Sequence, residues 1–149
     1  VKLFVAALGP VMLDLCGREA DGTVTWMTGK KTIESHILPK MSKAASEAGK
    51  PAPRVIAGFP ICLTNDVDGT KDLISKSLTV YGQLASYRAM LDLEGAAGPA
   101  DIAVVGDEAA VDAELERIAA AGVTDFNAAI IASNDEDRQR TMDYLASKV

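Results

Sequence analysis

The chain has 149 residues, 48% of them hydrophobic and 24% charged, a composition that supports one globular domain with its own core. Its net charge of −6 gives no basic footprint for displacing phosphate counterions, and the pairs Lys30-Lys31 and Arg138/Arg140 are short, so no nucleic-acid partner is expected. No apolar run is long enough for a membrane span, and no charged segment followed by a short apolar stretch opens the chain; a cytoplasmic protein with no membrane partner is expected.

Leu3 to Leu8 is a continuous apolar run closed by Gly9-Pro10. Continuous rather than alternating hydrophobicity predicts a strand buried on both faces, as in a parallel sheet. Val11 to Ala20 follows, with Val11, Met12, Leu15 and Cys16 at helical spacing. Asp21-Gly22 is a turn, and the β-branched and aromatic run Thr23 to Met27 predicts a second strand, broken by Thr28-Gly29. A helix then runs to Gly49, bent at Pro39, and Lys50-Pro51-Ala52-Pro53 forms a stiff connector. Arg54 to Thr64 holds a third strand, with Pro60 expected at a bulge or strand end because it has no N–H for a ladder. Asp66 to Glu94 reads as helix divided at Gly82, and Gly95 to Pro99 as a loop. Ile102 to Val105 is either a brief strand or an extended lead into a helix that Asp107 caps and Gly122 ends. Thr124 to Ile131 and Asp135 to Ser147 supply the last strand and helix. This alternation requires right-handed crossovers and a parallel sheet. An open doubly wound sheet and four units of a (β/α)8 barrel both satisfy it.

Little catalytic machinery is visible. Cys16 and Cys62 form no CxxC or Cys/His cluster, so no metal site is expected and both thiols should be free. His36 is the single histidine, on a predicted helix with no partner in view, and a structural role is expected. No nucleophile–base–acid set can be assembled around it. In either architecture ligands collect beyond the carboxyl ends of the strands. There, Leu8-Gly9-Pro10-Val11-Met12 offers close backbone approach at Gly9 and a proline suited to the first helical turn, whose free N–H groups favour an anion; an ordinary strand-to-helix turn would look the same. Trp26-Met27-Thr28-Gly29-Lys30 offers an aromatic face, a hydroxyl and a cation, suited to a phosphorylated or aromatic ligand. A nucleoside-triphosphate loop is excluded, since the glycine it needs at position 24 is Val24. Thr64-Asn65-Asp66 and Ser133-Asn134-Asp135 read as helix caps.

The segments VAALGPVMLDLCGREADGTVTWMTG (5–29), YGQLASYRAMLDLEGAAGPADIAVVGDEAAV (81–111) and AAAGVTDF (119–126) together resemble the luciferase-like family of flavin and deazaflavin oxidoreductases, and most of all its methylenetetrahydromethanopterin reductase-like branch. The resemblance implies an α/β fold: the C-terminal half, about four β/α units, of a luciferase-like TIM (β/α)8 barrel, forming one partial domain over 1–149 that holds strands five to eight. It implies hydride transfer with the deazaflavin coenzyme F-420, the coenzyme supplying the chemistry. The alternatives are an FMN-dependent monooxygenase and a non-enzymatic α/β ligand-binding module, the last requiring an open five-stranded sheet. Carried over by motif, Leu8, Gly9, Val11 and Met12 approach the phosphate-bearing tail of the coenzyme, with Met27 and Thr28 beside it, and Trp26 and Lys30 face a small-molecule substrate. In the family's sugar-phosphate dehydrogenases a threonine and a lysine in this loop bind substrate phosphate; Trp26 stands at about the threonine's place, which argues against such a substrate. The reactive ring and the acid/base residues belong to the N-terminal half. The chain is therefore expected to be a fragment, inactive alone, whose open sheet edges favour self-association or a homodimer.

Overall fold

A computed structural model describes Val1–Val149. The elements in order are β1 (Phe4–Val5), α1 (Pro10–Glu19), β2 (Gly22–Thr25), α2 (Lys30–Thr32), α3 (Leu38–Glu47), β3 (Arg54–Leu63), α4 (Val67–Ser77), α5 (Thr79–Gln83), α6 (Ala85–Glu94), β4 (Val104–Gly106), α7 (Glu108–Ala120), β5 (Asp125–Ile130) and α8 (Asp135–Ala146). A π-helical turn, Ile33–Ile37, joins α2 to α3 without a break, and a 3-10 turn, Pro99–Ile102, precedes β4. No helix is long and apolar enough to cross a membrane.

All strand pairs are parallel, and β3 is the hub. Successive residues of a strand turn their backbone groups to alternate edges. On β3 the Arg54 N–H donates to the Asp21 carbonyl (2.9 Å) and the Thr64 N–H to the Gly106 carbonyl (3.0 Å), whereas the Val55 and Ile61 carbonyls accept from Thr124 (3.0 Å) and Ile131 (3.2 Å). Even-numbered residues thus address β2 and then β4 on one edge, and odd-numbered residues address β5 on the other. Pro60 lies inside the strand rather than at its end. It is even-numbered, and its missing donor falls between the last β2 pair, Thr25 with Ala57, and the first β4 pair, Val104 with Ile61. No ladder bond is lost there.

The odd-numbered side chains of β3, Val55, Ala57, Phe59, Ile61 and Leu63, are buried in one cluster with Leu13, Ile37, Met41, Val111 and Ile118. Tyr144 and Leu145 of α8 pack against it. α1, α3, α7 and α8 therefore cover a single face of the sheet. A doubly wound sheet carries helices on both faces, whereas a barrel wall carries them on its outside only. The brief strand β4 is a fifth member of the sheet, but it shares with β2 the same edge of β3 and does not extend the sheet outward. From edge to edge the strands run β1-β2-β3-β5, four β/α units of a barrel wall with α1, α3, α7 and α8 as outer helices.

Local differences from the sequence expectations have physical causes. β1 is two residues long because Thr23 replaces the ladder beyond Val5: its hydroxyl donates to the Val5 carbonyl (2.8 Å) and accepts from the Ala7 N–H (3.2 Å). On α1 the buried residues are Leu13, Cys16 and Gly17, while Val11, Met12 and Leu15 are exposed. A Cβ at Gly17 would lie 2.5 Å from the Met41 carbonyl oxygen and 2.7 Å from the Ala44 Cβ, so glycine lets α1 and α3 cross closely on that stripe. Pro39 does not interrupt the helical run from Lys30 to Glu47. The π turn before it widens the helix, and the Leu38 N–H bonds to the Ile33 carbonyl, sparing the clash that a proline ring makes with the carbonyl one turn back. The 66–94 segment breaks at Leu78 and Leu84 rather than at Gly82, which lies within α5. The caps at Asp66, Asp107 and Asn134 form as expected, each accepting a backbone N–H at 2.8–3.0 Å.

At the amino end of the wall Arg54 spans three strands. Its guanidinium lies 5.7 Å from the Phe4 ring centroid and forms a two-point pair with Asp125, Nε to Oδ2 at 3.0 Å. The Thr124 hydroxyl, also bonded to Asp125 at 2.7 Å, and then the Arg54 guanidinium hold the Asp125 carboxyl below its ordinary value. A carboxylate depressed in the folded state stabilises fully above its unfolded pKa and ceases to as pH falls through the folded value. Asp125→Asn is therefore expected to lower the denaturant midpoint at neutral pH, with the difference from wild type shrinking below about pH 4.

Candidate functional site

Helices α4 to α6 and the 3-10 turn fold over the carboxyl ends of the strands around a second buried cluster, Met27, Ile74, Leu78, Leu91, Ala96 and Ile102. Between α6 and the β1–α1 turn they leave two hollows of about 590 and 300 Å³, which share Leu8, Gly9 and Ser86. His36, Pro10 and Met90 line the first, and Ala6, Val24, Trp26 and Tyr87 the second. This cleft occupies the place where parallel α/β architectures bind ligands. A separate apolar hollow of about 350 Å³ lies along the free edge of β5, among Leu115, Ile118, Phe126 and Leu145. It reaches Thr124 and Asp125 at the amino end of that strand, away from the strand ends where ligands gather, and marks the uncovered side of the wall.

The cleft walls are set by packing. Trp26 meets Tyr81 edge to face at 5.9 Å, and Tyr81 meets Tyr87 likewise at 5.4 Å. Trp26 rests on Gly58, where a Cβ would come within 2.9 Å of its Cε3. Gly9 is the opposite case. Nothing lies within 4 Å of where its Cβ would be, so that turn faces open space.

Of the residues singled out from sequence, Leu8, Gly9 and Trp26 line the cleft. Val11 and Met12 point outward from α1, with 79% and 41% of their surfaces exposed. Their N–H groups precede the first intrahelical bond, from the Leu13 N–H to the Gly9 carbonyl, and remain free at the helix start. Met27 is fully buried in the second cluster, and its φ of 55° turns the chain away from β2. Thr28 is buried too, its hydroxyl donating to the Trp26 carbonyl at 3.1 Å. Lys30 is held in an ion pair with Glu114 of α7. The structure thus brings together three of the eight and turns the side chains of the others elsewhere.

Among the cleft residues not assigned to a site from sequence are His36, Ser86 and Tyr87. Leu8 and His36 meet at 2.9 Å, Nε2 to carbonyl oxygen. A carbonyl only accepts, so Nε2 carries the proton. The partner is a backbone atom 28 residues earlier, which no side-chain motif signals. Ser86 and Tyr87 fall within the resemblance segment 81–111, but helical periodicity alone does not say which face of α6 meets the cleft. Neither thiol is poised for chemistry. Burial pushes Cys16 and Cys62 above their ordinary values, and the Cys16 thiol donates to the Gly22 carbonyl at 3.0 Å. No cluster of His, Cys, Asp and Glu could hold a metal ion.

A sheet with its helices on one face and a cleft over its strand ends defines the class as one half of a (β/α)8 barrel. The family model for luciferase-like monooxygenases matches residues 1–144, and the chain belongs to that family. Among solved structures it is similar to an F-420-dependent secondary alcohol dehydrogenase, with 18% identity and TM-score 0.67, covering 90% of this chain and 44% of the other. It is likewise similar to the coenzyme F-420-dependent tetrahydromethanopterin reductase of Methanopyrus kandleri, with 19% identity and TM-score 0.64, covering 100% and 50%. The monooxygenase RslO1 of Streptomyces bottropensis matches with 18% identity and TM-score 0.65, covering 98% and 46%. The chain therefore spans about half the length of these structures. No curated protein matches it.

His36→Ala would leave the Leu8 carbonyl without its donor, at an expected cost of about 1 kcal/mol. His36→Gln, which keeps an N–H, is expected to recover part of it. Denaturant midpoints, together with amide exchange over Leu8 to Leu13, check both.

Proposed function

We propose that the chain is the coenzyme-tail side of a luciferase-like oxidoreductase that uses the deazaflavin coenzyme F-420 for hydride transfer to or from a small-molecule substrate. One observation carries the reading: the cleft at the carboxyl ends of β1 and β2, where Gly9 leaves room for close backbone approach. Its residues suit the tail of the group. The free N–H groups of Val11 and Met12 would take its phosphate-bearing part, beside the apolar surface of Leu8 and Val24. When bound, the coenzyme supplies the hydride chemistry and the protein its orientation. The role of His36 is to hold the Leu8–Gly9 turn open through its bond to the Leu8 carbonyl. Trp26, Ser86 and Tyr87 would shape the adjoining substrate space.

The sheet has free outer edges at β1 and β5, which supports self-association of a chain of this length. Light scattering is expected to show species larger than a monomer, and a monodisperse monomer at high concentration would count against it. The FMN-dependent monooxygenase reading shares the same cleft and is separated by titration. In the natural protein, fluorescence titration is expected to give saturable binding of coenzyme F-420 and weaker binding of FMN; the reverse order would transfer the assignment to FMN. Gly9→Val should weaken coenzyme binding by roughly tenfold. It should leave stability within about 0.5 kcal/mol, because a Cβ at this position has no neighbour within 4 Å.

A further inference from the structure

The second hollow of the cleft carries no charged side chain. Ala6, Leu8, Val24, Trp26, Ser86 and Tyr87 line it, with no acid, lysine, arginine or histidine among its residues. The first hollow differs, being lined also by His36 and by Asp92, which pairs with Arg88 at 2.8 Å. The aromatic side of the second hollow is held from behind. Trp26 follows β2, Tyr87 belongs to α6, and Tyr81 of α5 touches both rings without lining either hollow. The Tyr81 ring meets that of Trp26 at 5.9 Å and 84°, and that of Tyr87 at 5.4 Å and 74°, the edge-to-face geometry that aromatic pairs favour. Gly58 completes the hold from the sheet, since a Cβ there would come within 2.9 Å of the Trp26 Cε3. All three rings also pack against the second buried cluster. The two lining rings are therefore set in place by the fold, and a ligand does not bear the cost of ordering them.

We propose that this hollow selects a neutral, ring-sized apolar substrate, and that Tyr81 is a positioning residue that sets its aromatic wall. The inference rests on the cleft being where the substrate binds. Size and charge carry it. The hollow measures about 300 Å³, and an apolar cavity of about 150 Å³ already admits a benzene ring, so one ring with a short substituent fits. A carboxylate, phosphate or ammonium placed there would lose hydration with no counter-charge to replace it. A hydroxyl or carbonyl is matched instead, because the Ser86 and Tyr87 hydroxyls each donate or accept.

The probe is benzyl alcohol, titrated into the natural protein without coenzyme while the Trp26 indole N–H resonance, assigned by its loss in Trp26→Phe, is followed. A saturable shift is expected, with a Kd on the order of 1 mM. Benzoate keeps the ring and adds a charge, and is expected to bind roughly tenfold more weakly or worse. Tyr81→Ala is expected to weaken benzyl alcohol binding by roughly threefold or more, although Tyr81 does not line the hollow. Tyr81→Phe, which keeps the ring, is expected to hold wild-type affinity. Tyr81→Leu carries that arm if the alanine variant does not fold. Benzoate binding as tightly as the alcohol, or no saturable shift with the alcohol, would overturn the substrate class. Unchanged affinity in a folded Tyr81→Ala or Tyr81→Leu variant would overturn the positioning role. If coenzyme F-420 fails to bind while the two probes behave as expected, the proposed function falls and the selectivity of the hollow stands.

Discussion

The ten residues of β3 divide their backbone groups between two edges, and that division organises the wall. The odd-numbered groups hold β5 along its length, while the even-numbered ones hold β2 near the amino end and β4 near the carboxyl end. Between those two partners lies a short unpaired stretch, and Pro60 sits in it at no cost to any ladder. The side chains obey the same parity. Val55 to Leu63 send their odd members under the helices, and the even positions face what would be the inside of a barrel, where Gly58 accepts the ring of Trp26. A slip of one residue would exchange the two faces and put the apolar set on the wrong side.

The cleft follows from where β2 stops. At Met27 a positive φ sends the chain off the sheet, so Met27 enters the second cluster and Trp26 stays against β3. That departure frees the upper edge of β3 for β4. It also sets the cap formed by α4 to α6 above the strand ends, with α6 close enough to supply Ser86 and Tyr87 to the cleft. The carboxylate of Glu94 is delivered to the β2–α2 loop by the same helix. Helix α6 thus both lines the cleft and caps the start of the helix after β2.

How much could be read from the sequence depended on how local the cause was. The four β/α units, the parallel sheet and the three side-chain caps were legible, because continuous apolar runs, helical spacing and Asp or Asn before a helix act within a few residues. The Leu8-Gly9 turn was legible as a landmark for the same reason. Thr23 standing in for the ladder of β1 was not legible, nor was the burial of Leu13 in place of Val11, since both depend on which neighbour lies across. His36 looked unpartnered because its partner is a backbone carbonyl. Lys30 looked free because Glu114 is 84 residues away.

By itself the sequence determined the alternation of strands and helices and the segments that carry the family resemblance. The tertiary structure decided the rest. It put the helices on one face and so chose the barrel wall over the open sheet, and it kept Pro60 inside a strand. It drew Leu8, Trp26, His36 and Ser86 to one cleft, and it capped the helix after β2 with a carboxylate of the same chain. The physical reason is shared by all of these. Propensity and spacing act along the chain, whereas edge parity, close approach at a glycine and the pairing of charges act across it, between residues that only the fold makes neighbours.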